Sequence, residues 1–215
     1  MGGGCYRIPN RELVFVGGHC PNACFPEHGG CEGSSEFEAV KTDAHCEVKP
    51  ESQDILTKTA EEIKGFVDKA GEQGKTIFLY TPDAFSEFYF DKFFMALSER
   101  NGSTYIVINA GVRTLVDRLN NGLSWQDIHN RGIREIWIGV ESASPYLRHE
   151  YHKPFFTNKE VLDVTQKGQE AGINMCWFLV DGSEDTSRTK ARTFELIKRA
   201  NPYRIHIGEL RRYSL

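Results

Sequence analysis

The chain has 215 residues, 40% hydrophobic, 12% aromatic and 26% charged, which is the composition of a folded chain with a real core rather than a disordered or fibrous one. Its formal net charge of −4 excludes a chain-wide basic footprint for nucleic acid, and no apolar run reaches the ~20 residues of a membrane span. The opening "MGGGCYRIPNRE" lacks the basic segment and apolar core of a secretory signal, so a cytoplasmic, reducing setting is expected.

Residues 1–11 read as an N-terminal extension, and "ELVFV" (12–16), closed by Gly17 and Gly18, predicts a first strand. The stretch "GGHCPNACFPEHGGCEG" (17–33) then brings Cys20, Cys24 and Cys31 into one Gly- and Pro-rich loop. Residues 32–52 carry Glu32, Glu36, Glu38, Asp43 and Glu47 without periodicity, and are expected to form an acidic loop over the sheet edge. Over 53–72, Ile55, Thr59, Ile63, Val67 and Ala70 recur at helical spacing, with Gly74 closing the segment.

"TIFLY" (76–80) predicts the second strand, stopped by Thr81-Pro82-Asp83, and 86–102 a helix with Phe90, Phe93 and Leu97 on one stripe. "TYIVINA" (104–110) is the third strand, followed by a helical stretch to residue 131, and "REIWIGV" (134–140) is the fourth. Thr157 and Glu160 spell a capping box and Gly172 a helix stop, after which "INMCWFLV" (173–180) is the fifth strand. A helix over 186–200, halted by Pro202, leads to the last strand, "YRIHIG" (203–208). The expected fold is α/β, a single domain over 1–215 with a parallel six-stranded sheet whose apolar runs suit cover on both faces.

In such architectures, sites form beyond the carboxyl ends of the strands. The cysteine loop, "TPDAF", Asn109, "ESAS" and "DGSEDT" all follow strand ends, so polar groups and thiols gather on one rim. A core alone does not require that convergence. The charge is also uneven, with eight Lys or Arg against two Glu over 188–215 and a remainder of −10. That end could attract an anionic partner, but solvated helix faces and ends are the simpler reading.

Three chemistries fit the cysteines. A structural zinc site would pair Cys20 and Cys24 with Cys31 and one of His19, His28 or His45, but no second close pair follows downstream. A disulfide framework conflicts with the expected compartment. Three thiolates can also hold three irons of a 4Fe-4S cluster and leave the fourth open. Cys5 and Cys46 are extra ligands or ordinary thiols, and Cys176, inside an apolar strand, reads as a buried small hydrophobe.

With these residues on the page, the chain resembles the radical SAM superfamily. A strand leading into a glycine-bounded, three-cysteine loop at the start of a run of βα units is that superfamily's opening. The stretch 134–186, with "GVES", Lys153, "AGI" and "DGSEDT" in order, is similar to the branch of oxygen-independent coproporphyrinogen oxidases, methylthiotransferases and cobalamin-dependent members. "IFLYTPDAF" (77–85) resembles the end of strand two in that branch. The resemblance implies an open partial (β/α)6 TIM-like barrel and an enzyme. Its 4Fe-4S cluster, reduced by a donor such as flavodoxin or ferredoxin, would cleave S-adenosylmethionine to a 5′-deoxyadenosyl radical that acts on a substrate.

Carried over residue by residue, the resemblance implies Cys20, Cys24 and Cys31 as cluster ligands, and Glu141 and Ser142 as groups facing S-adenosylmethionine. A strand-end carboxylate capping the next helix is the other reading of Glu141. Lys153 would pair with a carboxylate or be solvated, Thr81 and Asp83 would approach the methionine amino group, and Asn109 and Asp181 are rim candidates. Trp137 and Trp177 read as core. The loop departs from the family's usual spacing by placing six residues between Cys24 and Cys31, which leaves His28 or Cys46 as an alternative third ligand. The last strand stands close to residue 215, so a minimal six-unit core or a fragment is expected, without room for a cobalamin domain. An iron–sulfur or zinc-binding module without S-adenosylmethionine chemistry is the alternative function.

Overall fold

The computed structural model describes residues 11–15, 58–81, 83–87, 89–97, 104–151, 153, 156–182 and 185–209. Its strands are β1 (Arg11–Phe15), β2 (Thr76–Tyr80), β3 (Ile106–Gly111), β4 (Ile133–Glu141), β5 (Asn174–Asp181) and β6 (Arg204–Glu209). They are hydrogen-bonded in that same order, and every neighbouring pair is parallel. Each connection therefore steps to the adjacent strand, and right-handed crossovers place the helices on one side of the sheet. The sheet curls into a partial, TIM-like barrel. The expected parallel α/β architecture is present, but the expected cover on both faces is corrected: the helices pack on one face and on each other, leaving an inner face of different chemistry.

The helices are α1 (Ala60–Glu72), α2 (Phe90–Leu97), α3 (Val112–Asn120), α4 (Trp125–Asn130), α5 (Pro145–Glu150), α6 (Asn158–Glu170) and α7 (Ser187–Ala200). Thr59, read as part of an apolar face, is instead the N-cap of α1: its hydroxyl accepts from Glu62 N, and the Glu62 carboxylate accepts from Thr59 N at 2.7 Å. The helix expected from residue 86 begins at Phe90, after tight turns through Ser86 and Tyr89. The single helical stretch to residue 131 is two helices, because Gly122 takes φ 100° and Ser124 caps α4 with Asp127. The Thr157–Glu160 capping box and the Gly172 stop (φ 80°) are both present. Asn201, in the left-handed region, ends α7 one residue before Pro202.

Strand alternation divides the sheet. Ile106, Ile108 and Ala110 on β3, Ile136, Ile138 and Val140 on β4, and Met175, Trp177 and Leu179 on β5 join the helix-side core. Trp177 is fully buried there, and its Nε1–H donates to Thr165 Oγ1 at 3.0 Å. The intervening residues, Asn109 and Gly111, then Glu135, Trp137, Gly139 and Glu141, then Cys176 and Phe178, belong to the inner face. Among the described residues, no helix is long and apolar enough to cross a membrane.

Candidate functional site

The carboxyl ends of β2, β3 and β4 bring together five of the residues singled out in the sequence. Thr81 and Asp83 leave β2 almost fully buried, and Ala84 N donates to Asn109 O at 2.9 Å, which ties that exit to β3. Asp83 accepts from Phe85 N at 3.1 Å and from the Thr114 hydroxyl at 2.7 Å. Burial pushes its carboxyl up from the usual value near 3.8, while the Gly111 backbone, Thr114, Phe85 and the Lys153 charge pull the other way.

On β4, Glu141 sits at φ 59°, where the β4–β5 register shifts between Gly139 and Glu141. The carboxylate turns back over Gly139 and pairs with Lys153, twelve residues on. A Cβ on Gly139 would stand 2.7 Å from Glu141 Oε1 and 3.0 Å from Lys153 Nζ. Gly111 is its register partner on β3, and a Cβ there would meet Asp83 Oδ2 at 2.6 Å. Two aligned glycines thus make room for two carboxylates and an ammonium. Thr81 Oγ1 and Asn109 Oδ1 are buried beside this arrangement without a hydrogen-bond partner among the described residues, an expensive state for polar groups away from water.

Solved structures share this architecture. Methylornithine synthase (PylB) matches at TM-score 0.59 and 12% identity over 93% of this chain and 52% of that one. The radical S-adenosylmethionine methyltransferase TsrM from Kitasatospora setae, with tryptophan substrate and a SAM analog (aza-SAM) bound, matches at TM-score 0.65 and 10% identity over 94% of this chain and 36% of that one. The cobalamin-dependent S-adenosylmethionine radical enzyme OxsB, with aqua-cobalamin and S-adenosylmethionine bound, matches at 0.55 and 16% over 71% and 24%. The fold is that of radical SAM enzymes. This chain spans about half or less of the length of those solved chains. No protein-family model matches it, and no curated protein matches it.

Within the radical SAM fold, the other sequence candidates fall as follows. Cys20, Cys24 and Cys31, with His28 and Cys46, lie outside the described residues. Ser142 is buried in the turn after β4, where its hydroxyl accepts from Ser144 N at 3.1 Å and lies 3.4 Å from the Thr193 hydroxyl on α7. Ser144, not Glu141, caps α5. Asp181 ends β5 half exposed and pairs with Lys190 at 2.8 Å. Cys176 is buried, as expected.

Trp137 is a correction. It is only half-buried and lies on the inner face, where its Nε1–H donates to Glu135 Oε1 at 2.8 Å. Tyr105 OH donates to Glu135 Oε2 at 3.2 Å, and Asn174 Nδ2 donates to Tyr105 OH at 2.7 Å. Burial, first, and the Glu135 carboxylate push the Tyr105 phenol up to about 12, so it stays a donor. This inner-face network escaped the sequence reading, although the period-2 run Glu135, Trp137, Gly139, Glu141 inside an apolar strand was its signal.

A pocket of about 370 Å³ opens at the opposite end of the sheet, lined by Gln169, Asn174, Asn201 and Tyr203 among others. None of the rim residues lines it. Among the described residues, no cluster of three or more His, Cys, Asp or Glu is arranged to hold a metal ion.

Proposed function

We propose that the chain is a radical SAM enzyme in which Cys20, Cys24 and Cys31 hold a 4Fe-4S cluster and the carboxyl rim binds S-adenosylmethionine. When bound, the cluster supplies the electron that cleaves S-adenosylmethionine reductively to methionine and a 5′-deoxyadenosyl radical. The observation that carries this reading is the rim itself: two buried polar atoms without partners stand beside a carboxylate–ammonium pair, in space that two register-matched glycines keep open. That donor set fits a zwitterionic amino-acid group. Asn109 Oδ1 and Asp83 would accept from its ammonium, Thr81 Oγ would donate or accept at the same edge, and the Lys153 ammonium would meet its carboxylate. Glu141 orients Lys153 and faces the ribose or methionine end. Ser142 braces the turn that holds Glu141 in its left-handed conformation.

In this reading residues 1–215 form one (β/α)6 core, with the residues ahead of β1 as an N-terminal extension and 32–52 as a loop beside the sheet. A reducing cytoplasmic setting and a donor of the flavodoxin or ferredoxin type belong to the same reading, as does an anionic substrate drawn by the basic C-terminal end.

The test is anaerobic reconstitution with iron and sulfide, followed by reduction in the presence of S-adenosylmethionine. Formation of 5′-deoxyadenosine is expected, as is loss of the cluster's visible absorption in Cys31→Ala. A cluster without nucleoside formation would replace the proposal with an iron–sulfur module. A colourless protein with stoichiometric zinc would replace it with a zinc module.

A further inference from the structure

The inner face carries a second feature that the rim chemistry leaves unused. Trp137 on β4, Phe178 on β5 and His206 on β6 run across the sheet as a ladder of rings. Trp137 and Phe178 stand 4.9 Å apart between centroids, inclined by 36°, and Phe178 meets His206 edge-on at 5.7 Å. The two larger rings are half-buried and His206 is exposed, whereas Trp177, the neighbour of Phe178 on the helix side, is fully buried. On β4 and β5, among the described residues, the half-open rings thus lie on the inner side.

The ladder is also held in place. The bond from Trp137 Nε1–H to Glu135 fixes the indole at its polar edge, and Tyr105 with Asn174 fixes Glu135 from beneath. A ring held this way loses little freedom when something stacks on it. Above Trp137 on the same face comes Gly139, with no side chain, and then Glu141 over it. The platform thus runs up to the Glu141–Lys153 pair without an intervening side chain. Its flanking charges come in opposite pairs, Glu141 with Lys153 above and Glu135 within electrostatic reach of Arg204 below. Fixed, preorganised rings favour a flat ring that can stack on them over a saturated one.

We infer that the Trp137–Phe178–His206 ladder is the stacking platform for a planar aromatic or conjugated ring of the substrate. That the occupant is the substrate rests on the radical SAM reading above; that the face prefers flat rings does not. The probes are benzyl alcohol and cyclohexylmethanol, matched in charge and in heavy-atom number and differing in the planarity and aromaticity of the ring. Each is titrated into the full-length protein labelled with 15N at tryptophan, with the Trp137 indole signal assigned by its disappearance in Trp137→Phe.

Benzyl alcohol is expected to move the Trp137 signal saturably, leave Trp177 still, and bind roughly two- to tenfold more tightly than cyclohexylmethanol. Phe178→Leu keeps apolar surface and should erase that preference without erasing binding. Equal affinities for the two alcohols, or no saturable shift at Trp137, would overturn the proposal. The titration needs neither cluster nor S-adenosylmethionine, so its outcome is independent of whether 5′-deoxyadenosine is formed.

Discussion

The two faces of the sheet are built from the same strands and are opposites. On the helix side, Ile136, Ile138 and Val140 pack against helices and touch no water. On the inner side the alternate residues of that strand are a buried carboxylate, a half-open indole, a glycine and a carboxylate in a left-handed turn. The first face minimises voids; the second tolerates orphaned polar atoms, positive φ and missing side chains. Departures from local rules collect on the face that carries the proposed site, and stability is supplied by the other face.

If that division is right, substitutions on the two faces should separate stability from binding. The largest stability loss is expected for Trp177→Ala, which leaves a ring-sized cavity and strips the Thr165 hydroxyl of its donor, at about 3–5 kcal/mol by urea unfolding. A loss under 1 kcal/mol would mean that the helix side is loosely packed. Next is Gly168→Val on α6: a Cβ at Gly168 already falls 2.6 Å from Met175 Sδ and 3.2 Å from Trp125 Cη2, so overpacking should cost about 1–3 kcal/mol.

Asp83→Asn is expected to alter stability by less than about 1 kcal/mol near neutrality, because Thr114 can donate to Gly111 O and accept from the new amide. Its effect should depend on pH in a set direction. Asp83 has a raised folded-state pKa, so its contribution to wild-type stability is fully present below about 3.8 and is lost as pH rises through the folded value. The variant should therefore gain on the wild type with rising pH in a series of unfolding midpoints. The reverse trend would show Asp83 to be stabilised as an anion.

The smallest stability effect is expected for Gly139→Ala, no more than about 1 kcal/mol, since the three atoms nearest the new methyl lie at the ends of the Glu141 and Lys153 side chains. In the proposed radical SAM reading, displacing that pair should nevertheless lower 5′-deoxyadenosine formation about a hundredfold, the size of loss that a misplacement of about 1 Å can cause. Unchanged activity would detach the ion pair from the chemistry.

How much of this could be read from the chain depends on the range of the interaction involved. Strand and helix order followed from apolar periodicity and from caps such as Thr157 with Glu160, because those signals act within a turn or two. Helix starts were misplaced where a residue served as cap rather than face, as at Thr59. Trp137 was misassigned because an aromatic in an apolar strand looks the same whether it faces helices or the inside of the curl.

The sequence by itself determined the alternation of strands and helices, the rim on which the polar residues would gather, and the resemblance to radical SAM enzymes. Only the tertiary structure decided that Glu141 folds back onto Lys153, that Gly111 and Gly139 share a register, and that Tyr105 reaches both Glu135 and Asn174, the latter 69 residues away. Parallel register sets those neighbours, and it arises from packing the whole sheet against its helices, which no local stretch of the chain encodes.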